Sequence, residues 1–262
     1  MSLCIKIINS QDETIDCAEG ENEVFLVHDS EYQEGDCLVV ECSEANKFLI
    51  LQLDDTISPT FAYLKNGRYV FAIPFGENRI SYSPRSFLGT RHLLYIRLAS
   101  QEEIAVRKNL AFNPLDTHGN QSLFPHASAN VETRGEAVFA ARNAIDGLKA
   151  NTFHGEWPFS SWGINRNPDA ELKLEFGRRV KLDEAIFYLR ADFPHDAWWK
   201  SAALHFSDGS GLTVDLKKEE TAQSFHFESK MVEWVILDTL IKAEDPSPFP
   251  ALTQIEFYGT EA

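Results

Sequence analysis

In the first part of the chain, apolar residues gather in short runs rather than at helical spacing. CIKIIN (4–9), EVFLVH (23–28), CLVVEC (37–42) and FLILQL (48–53) are rich in β-branched and aromatic types and are bounded by polar clusters such as GEN and EGD, the pattern of strands. TFAYL (60–64), RYVFAI (68–73) and HLLYIRL (92–98) continue the series. Between the first two of these, Asn66-Gly67 predicts a type I′ hairpin, whose two central residues need positive φ. Closely spaced strands without long helical patterns between them predict a sandwich or jelly roll.

The pattern lapses over residues 109–130, NLAFNPLDTHGNQSLFPHASAN, where Asn, Pro, Gly, Ser and His displace any periodicity. This stretch reads as a linker or a surface crossing between domains and divides the chain into residues 1–118 and 119–262. Past it, EAVFAARNAIDG (136–147) places Val138, Ala141, Ala144 and Ile145 at helical spacing and predicts a short helix ending at Gly147. Strands follow at ELKLEF (171–176), DEAIFYLR (183–190), SAALHFS (201–207), LTVDL (212–216), QSFHFES (223–229), EWVILD (233–238) and LTQIEFYG (252–259). In ELKLEF the strict alternation of Leu172, Leu174 and Phe176 with Glu171, Lys173 and Glu175 gives one buried face and one wet one. Gly209 supplies a hairpin turn between two of these strands. The fold class that results is all-β, two β-sandwich (jelly-roll-like) domains.

Composition sharpens the division. All four cysteines (Cys4, Cys17, Cys37, Cys42) lie in the first domain, and all five tryptophans (Trp157, Trp162, Trp198, Trp199, Trp234) lie in the second. The cysteine spacings match no zinc site, and buried free thiols are expected. The net charge of −16 argues against nucleic acid and anionic membranes as partners. The N-terminal residues carry no basic region followed by an apolar stretch, so the expected location is cytoplasmic. No apolar run is long enough for a spanning helix.

The ordered set ARNAIDG, a loop carrying a threonine and tryptophans, DAELKLEFGRRVKLDEAIF, and a last strand ALTQIEFYG resembles the discoidin, or coagulation-factor type C, domain across roughly residues 125–260. That resemblance implies a galactose-binding-like β-sandwich, the fold of many carbohydrate-binding modules, and a binding function rather than catalysis. It implies that ligands are met by loops at one end of the sandwich. It also implies a structural calcium site, which maps onto Asp146, Thr152 and Gln254. Thr152 falls one residue later than the family spacing, and Gln254 stands where the family has a carboxylate, with Glu256 two residues on. Calcium prefers carboxylate and carbonyl oxygens, so the amide weakens such a site, and no cofactor is required by this reading.

Two loops are dense in residues suited to recognition. The first contributes His154, Glu156, Trp157 and Trp162; the second contributes Arg190, Asp192, Phe193, His195, Asp196, Trp198 and Trp199. Aromatic rings serve as platforms for the C–H face of a sugar, and planar polar groups fix its hydroxyls. Being adjacent in an extended segment, Trp198 and Trp199 point opposite ways, so that one faces inward. The same aromatic loops would serve a protein partner or a scaffold role. A hydrolytic enzyme using the His/Asp loop is the remaining alternative, but the spacing matches no HExxH pattern and no Gly-x-Ser-x-Gly elbow is present. The reading is therefore a carbohydrate-binding protein without an active site of its own.

Overall fold

A computed structural model describes residues 1–150, 155–191 and 197–262. The strands of the first half are β1 (Ser2–Ile8), β2 (Thr14–Glu21), β3 (Glu23–His28), β4 (Cys37–Cys42), β5 (Lys47–Gln52), β6 (Thr60–Leu64), β7 (Arg68–Ala72) and β8 (His92–Leu98). Three short strands follow, β9 (Lys108–Asn109), β10 (Leu123–Phe124) and β11 (His126–Ala129). The rest are β12 (Trp162–Gly163), β13 (Leu172–Leu189), β14 (Trp199–Phe206), β15 (Gly211–Asp215), β16 (Gln223–Lys242) and β17 (Ala251–Glu261). All pairings are antiparallel, and the predicted all-β class is what the chain adopts.

Alternation places the first core. In β3, Val24, Leu26 and His28 turn inward while Glu23, Phe25 and Val27 face solvent. A four-stranded sheet, β2-β1-β4-β7, lies over a five-stranded one, β10-β6-β5-β8-β3, and Leu3, Ile5, Leu38, Leu49, Phe71 and Leu94 fill the space between them. Asn66-Gly67 does not close the expected hairpin. The flanking strands β6 and β7 belong to different sheets, so the turn carries the chain across the sandwich. Only Gly67 has positive φ there (72°), and a Cβ on it would meet the Cys42 carbonyl oxygen at 2.9 Å. Among the cysteines, none of which forms a disulfide, Cys4 and Cys42 are buried and Cys37 half-buried. Cys17 is exposed, against expectation, because β2 is an edge strand with one neighbour.

The second half is one eight-stranded antiparallel sheet that doubles over its own core. Two pairs of predicted strands fuse here. ELKLEF and DEAIFYLR become the single strand β13, and QSFHFES and EWVILD become β16. The register breaks between Glu175 and Val180, where four residues of β13 oppose one of β16. Gly177 sits in this bulge at φ 70°, with the Phe124 ring so close that an added Cβ would lie 2.4 Å from it. Leu172, Leu174 and Phe176 from one arm of β13 share a core with Ala185, Phe187 and Leu189 from the other. Gly209, at φ 85°, turns the β14–β15 hairpin as predicted. The expected helix over 136–147 is instead a chain of 3₁₀ turns, because Ala140 takes an extended conformation (φ −70°, ψ 153°) and interrupts it.

Residues 109–130, expected as a linker, form a buried seam. β9 pairs with β17 in the second sheet, Leu115 then enters the first core, β10 pairs with β6, and β11 returns to pair with β13. The polar residues that obscured any pattern are there to bond backbone. The Asp116 carboxylate, fully buried, accepts from the Ala127 N–H at 2.8 Å and the Asn120 side chain at 3.1 Å, and lies 2.8 Å from His126 Nδ1. Asn113 donates to the Pro125 carbonyl at 2.7 Å, and the Tyr69 hydroxyl donates to the Leu115 carbonyl. From the second half, Arg142 donates to the Asp116 and Pro114 carbonyls, each at 2.8 Å, while its guanidinium lies 4.5 Å from the Tyr82 ring centroid. Among described residues no helix is long and apolar enough to cross a membrane.

Candidate functional site

The 3₁₀ turns deliver Asp146 and Gly147 to the junction of the two halves. Gly147 has φ 87°, and a Cβ there would run into the Phe112 ring at 2.4 Å. Gln254 of β17 clasps this corner from the other side. Its Nε2 donates to the Ala144 carbonyl at 2.7 Å, and its Oε1 accepts from the Gly147 N–H at 2.9 Å. Asp146 Oδ1 accepts from the Leu148 N–H at 2.8 Å, and its Oδ2 is buried without a partner. Burial pushes the Asp146 carboxyl up to about 7, against the opposing pull of the Arg142 charge.

These residues do not fit the calcium site that the resemblance implies. Calcium collects roughly six to eight oxygens, whereas Gln254 turns an N–H group on the Ala144 carbonyl and spends its own oxygen on Gly147. The amide ties the corner directly, where a carboxylate would need a cation between itself and that carbonyl. Thr152 lies outside the described residues, as do His154, Asp192, Phe193, His195 and Asp196.

Trp157 stands beside the Asp146 corner. It is half-buried, its Nε1 has no partner, and it follows the exposed Glu156. Trp157 and Asp146 line the same cavity of about 130 Å³, whose lining also includes Thr56, Ser81, Tyr82 and Ser86 from the first sandwich. Trp157 also lines a broader groove outside it, with Asp55, Pro84 and Arg85.

The other candidates are placed differently. Trp162 is fully buried, donates from Nε1 to the Val131 carbonyl at 3.0 Å, and lies 6.4 Å from the Trp199 ring centroid. Trp199 is 1% exposed. The expectation that these two rings meet a ligand is therefore corrected: they face inward from β12 and β14 and form part of the core. Trp198 is half-buried and packs against that core from its edge. Arg190 is buried at the end of β13, where its guanidinium donates to the Phe159 carbonyl and its backbone N–H donates to the Ala251 carbonyl at 3.0 Å. It thus ties the 155–162 loop to the sheet, and forms one wall of a second cavity, of about 100 Å³, with Phe139, Arg166 and Phe249.

Sequence reasoning missed Arg142 and the whole contribution of the first half to the cavity around Trp157. Nothing in the local pattern of residues 54–58 or 81–86 marks them, since they reach the cavity only through the crossing of the chain.

No family model matches the chain, and no curated protein matches it. Among solved structures it is similar to chitosan-binding module 1 of a chitosanase/glucanase from Paenibacillus sp. IK-5, at 17% identity and a TM-score of 0.41 over 58% of this chain and 99% of that one. It is also similar to the family 32 carbohydrate-binding module of C. perfringens NanJ in complex with galactose, at 19% identity and a TM-score of 0.37 over 50% and 91% of the two chains. A Streptococcus pneumoniae fucose-binding module aligns at 14% identity with a TM-score of 0.42, over 58% and 96%.

Proposed function

We propose that the chain is a non-catalytic carbohydrate-binding protein whose second sandwich meets a sugar through the 155–162 loop. The observation that carries this reading is Trp157: a half-buried indole that lines both a cavity and the broader groove outside it. An aromatic face stacks on the apolar face of a pyranose. The resemblance in the ordered motifs between ARNAIDG and ALTQIEFYG supports the same class. Glu156, exposed beside Trp157, offers acceptors at the rim. The affinity expected of a ligand that buries few atoms is micromolar to millimolar.

A glycan array probed with the intact chain, followed by calorimetry on each hit, tests the proposal. A specific hit lost in Trp157→Ala supports it, and a clean negative across neutral glycans sinks it. A protein-interaction role is the second reading, and it draws on a different place. Phe25, Val27 and Leu93 are 54%, 46% and 40% exposed on the outer face of β3 and β8, an apolar stripe a protein partner would cover.

A further inference from the structure

We infer that the cleft between Arg134 and Arg166 is a second binding site, which takes the acid group of a carboxylate-bearing sugar. The sugar part of the inference rests on the carbohydrate reading, but the site itself shares no lining residue with the cavity beside Trp157.

Charge singles the cleft out. The chain carries 40 acidic residues against 24 Lys and Arg, yet among the described residues lining this cavity of about 100 Å³ three are arginines and none is acidic. The three differ in what they offer a ligand. Arg190 is buried and donates to the Phe159 carbonyl, so it serves as wall. Arg134 is exposed but held by both oxygens of Glu136, at 2.5 and 2.8 Å. Arg166 is exposed and makes no ion pair with a described residue; its guanidinium lies 4.3 Å from the Phe249 ring centroid. A guanidinium so placed keeps its fork of N–H donors for an incoming carboxylate, whose two oxygens match it.

The backbone holds both exposed arginines in a conformation that disfavours them. Asn165 and Arg166 are the central residues of a tight turn closed by the Asn167 N–H on the Ile164 carbonyl at 2.9 Å, and both have positive φ, 47° and 61°. Asparagine and glycine suit such a turn, whereas arginine is strained in it. Arg134 occupies the same region, at φ 54°. The two turns are tied to each other: the buried Thr133 hydroxyl accepts from the Asn165 N–H at 2.9 Å. A Cβ on Gly163 would meet that hydroxyl at 2.6 Å, so the strand beneath must be bare there. Strain kept on two bonded turns at one rim points to what their side chains do.

The walls describe the rest of the ligand. Phe139 and Phe249 are half-buried and, with Ile164 and Ala251, make the interior apolar. The C–H groups of a pyranose ring fit such a surface, and the exposed Asn165 amide beside Arg166 offers a donor and an acceptor to a ring hydroxyl. At about 100 Å³ the cavity holds the acid group and the ring edge that bears it, and leaves the remainder outside. An inorganic anion would leave the apolar walls uncovered, and a neutral sugar would leave Arg166 without a counter-charge.

The test is calorimetric titration of the intact chain with glucuronic and galacturonic acid, with glucose and galactose as their neutral counterparts and acetate as the acid without a ring. Three variants accompany the parent, each checked for folding by circular dichroism. Arg166→Gly suits the positive φ of the turn, Arg166→Gln keeps much of the bulk without the charge, and Trp157→Ala leaves this cleft intact. The parent should bind a sugar acid at least tenfold more tightly than its neutral counterpart, with affinity falling as salt is added. Both Arg166 variants should lose at least tenfold in that affinity, and Trp157→Ala should lose none. Equal binding of acid and neutral forms, no binding of either acid, or acid binding unchanged in both Arg166 variants would overturn the inference. Acetate binding as tightly as the sugar acids would overturn the sugar assignment. If Trp157→Ala alone abolishes acid binding, the acid sits at the other site, and this inference falls while the carbohydrate reading stands. Acid binding through Arg166 with no response to any neutral glycan would uphold this site and remove the one at Trp157.

Discussion

Replacing Asp116 by alanine removes the acceptor at the centre of the seam. Three donors lose a partner inside the protein: the Ala127 N–H, the His126 ring and the Asn120 amide, of which Asn120 keeps its bond to the Leu123 carbonyl. A buried donor left unpaired costs about 1–3 kcal/mol, and breaking a buried hydrogen-bonded charge costs about 3–5 kcal/mol, so a loss of about 4 kcal/mol is expected. For a protein of this size each kcal/mol moves the midpoint by about 2–4 °C, which puts the drop at about 8–16 °C. Because Leu115 belongs to the first core and Ala127 to the second, the destabilisation should reach both halves. Differential scanning calorimetry reads both points. A midpoint within about 2 °C of the parent, or a shift confined to one of two separate transitions, would refute the reasoning that the seam joins the cores.

Three further outcomes are expected. Burial draws the His126 ring below its ordinary value, but the Asp116 hydrogen bond and charge outweigh it and leave the pKa raised. His126 therefore stabilises fully below the unfolded value of about 6.5 and loses that contribution as pH rises through the folded value; an NMR titration placing the ring below the ordinary range would contradict this. Asp146 is raised to about 7 from an unfolded value near 3.8, so the parent should lose stability between about pH 4 and pH 7. Asp146→Asn should remove that fall, and an unchanged pH profile in melting experiments would count against a buried, unpaired carboxyl. Neither calcium nor a chelator should move the melting midpoint, because Gln254 ties the corner itself; Gln254→Glu should reduce stability by about 1–3 kcal/mol by setting an acceptor against the Ala144 carbonyl. A calcium-dependent rise in the parent would overturn that account.

Most of the strands could be read from the chain because their alternation records which face is wet. ELKLEF keeps that record cleanly. β2, in contrast, has no buried residue, so TIDCAEGE carried no alternation to read. The seam was hidden for the opposite reason. Asn113, Asp116 and Asn120 are polar yet buried, because they bond backbone rather than water, and local composition cannot tell the two apart. Of the site, Trp157 and Asp146 were legible as an aromatic in a rich loop and a member of AIDG. Trp162 and Trp199 looked the same in sequence and proved to be core, since only the packing of the doubled sheet decides which indole faces in.

The crossing of residues 108–129 bears on how such a protein can be cut and reused. The chain visits the second sheet at β9, returns to the first at β10 and leaves again at β11, so no single break separates the halves. A protease nick within residues 117–122 would leave two fragments still laced together, each holding strands that belong to the other's sheet. A graft of the second sandwich onto a foreign protein would have to carry β9 and find substitutes for Tyr69 and Tyr82. The pair has to be expressed and engineered as one piece.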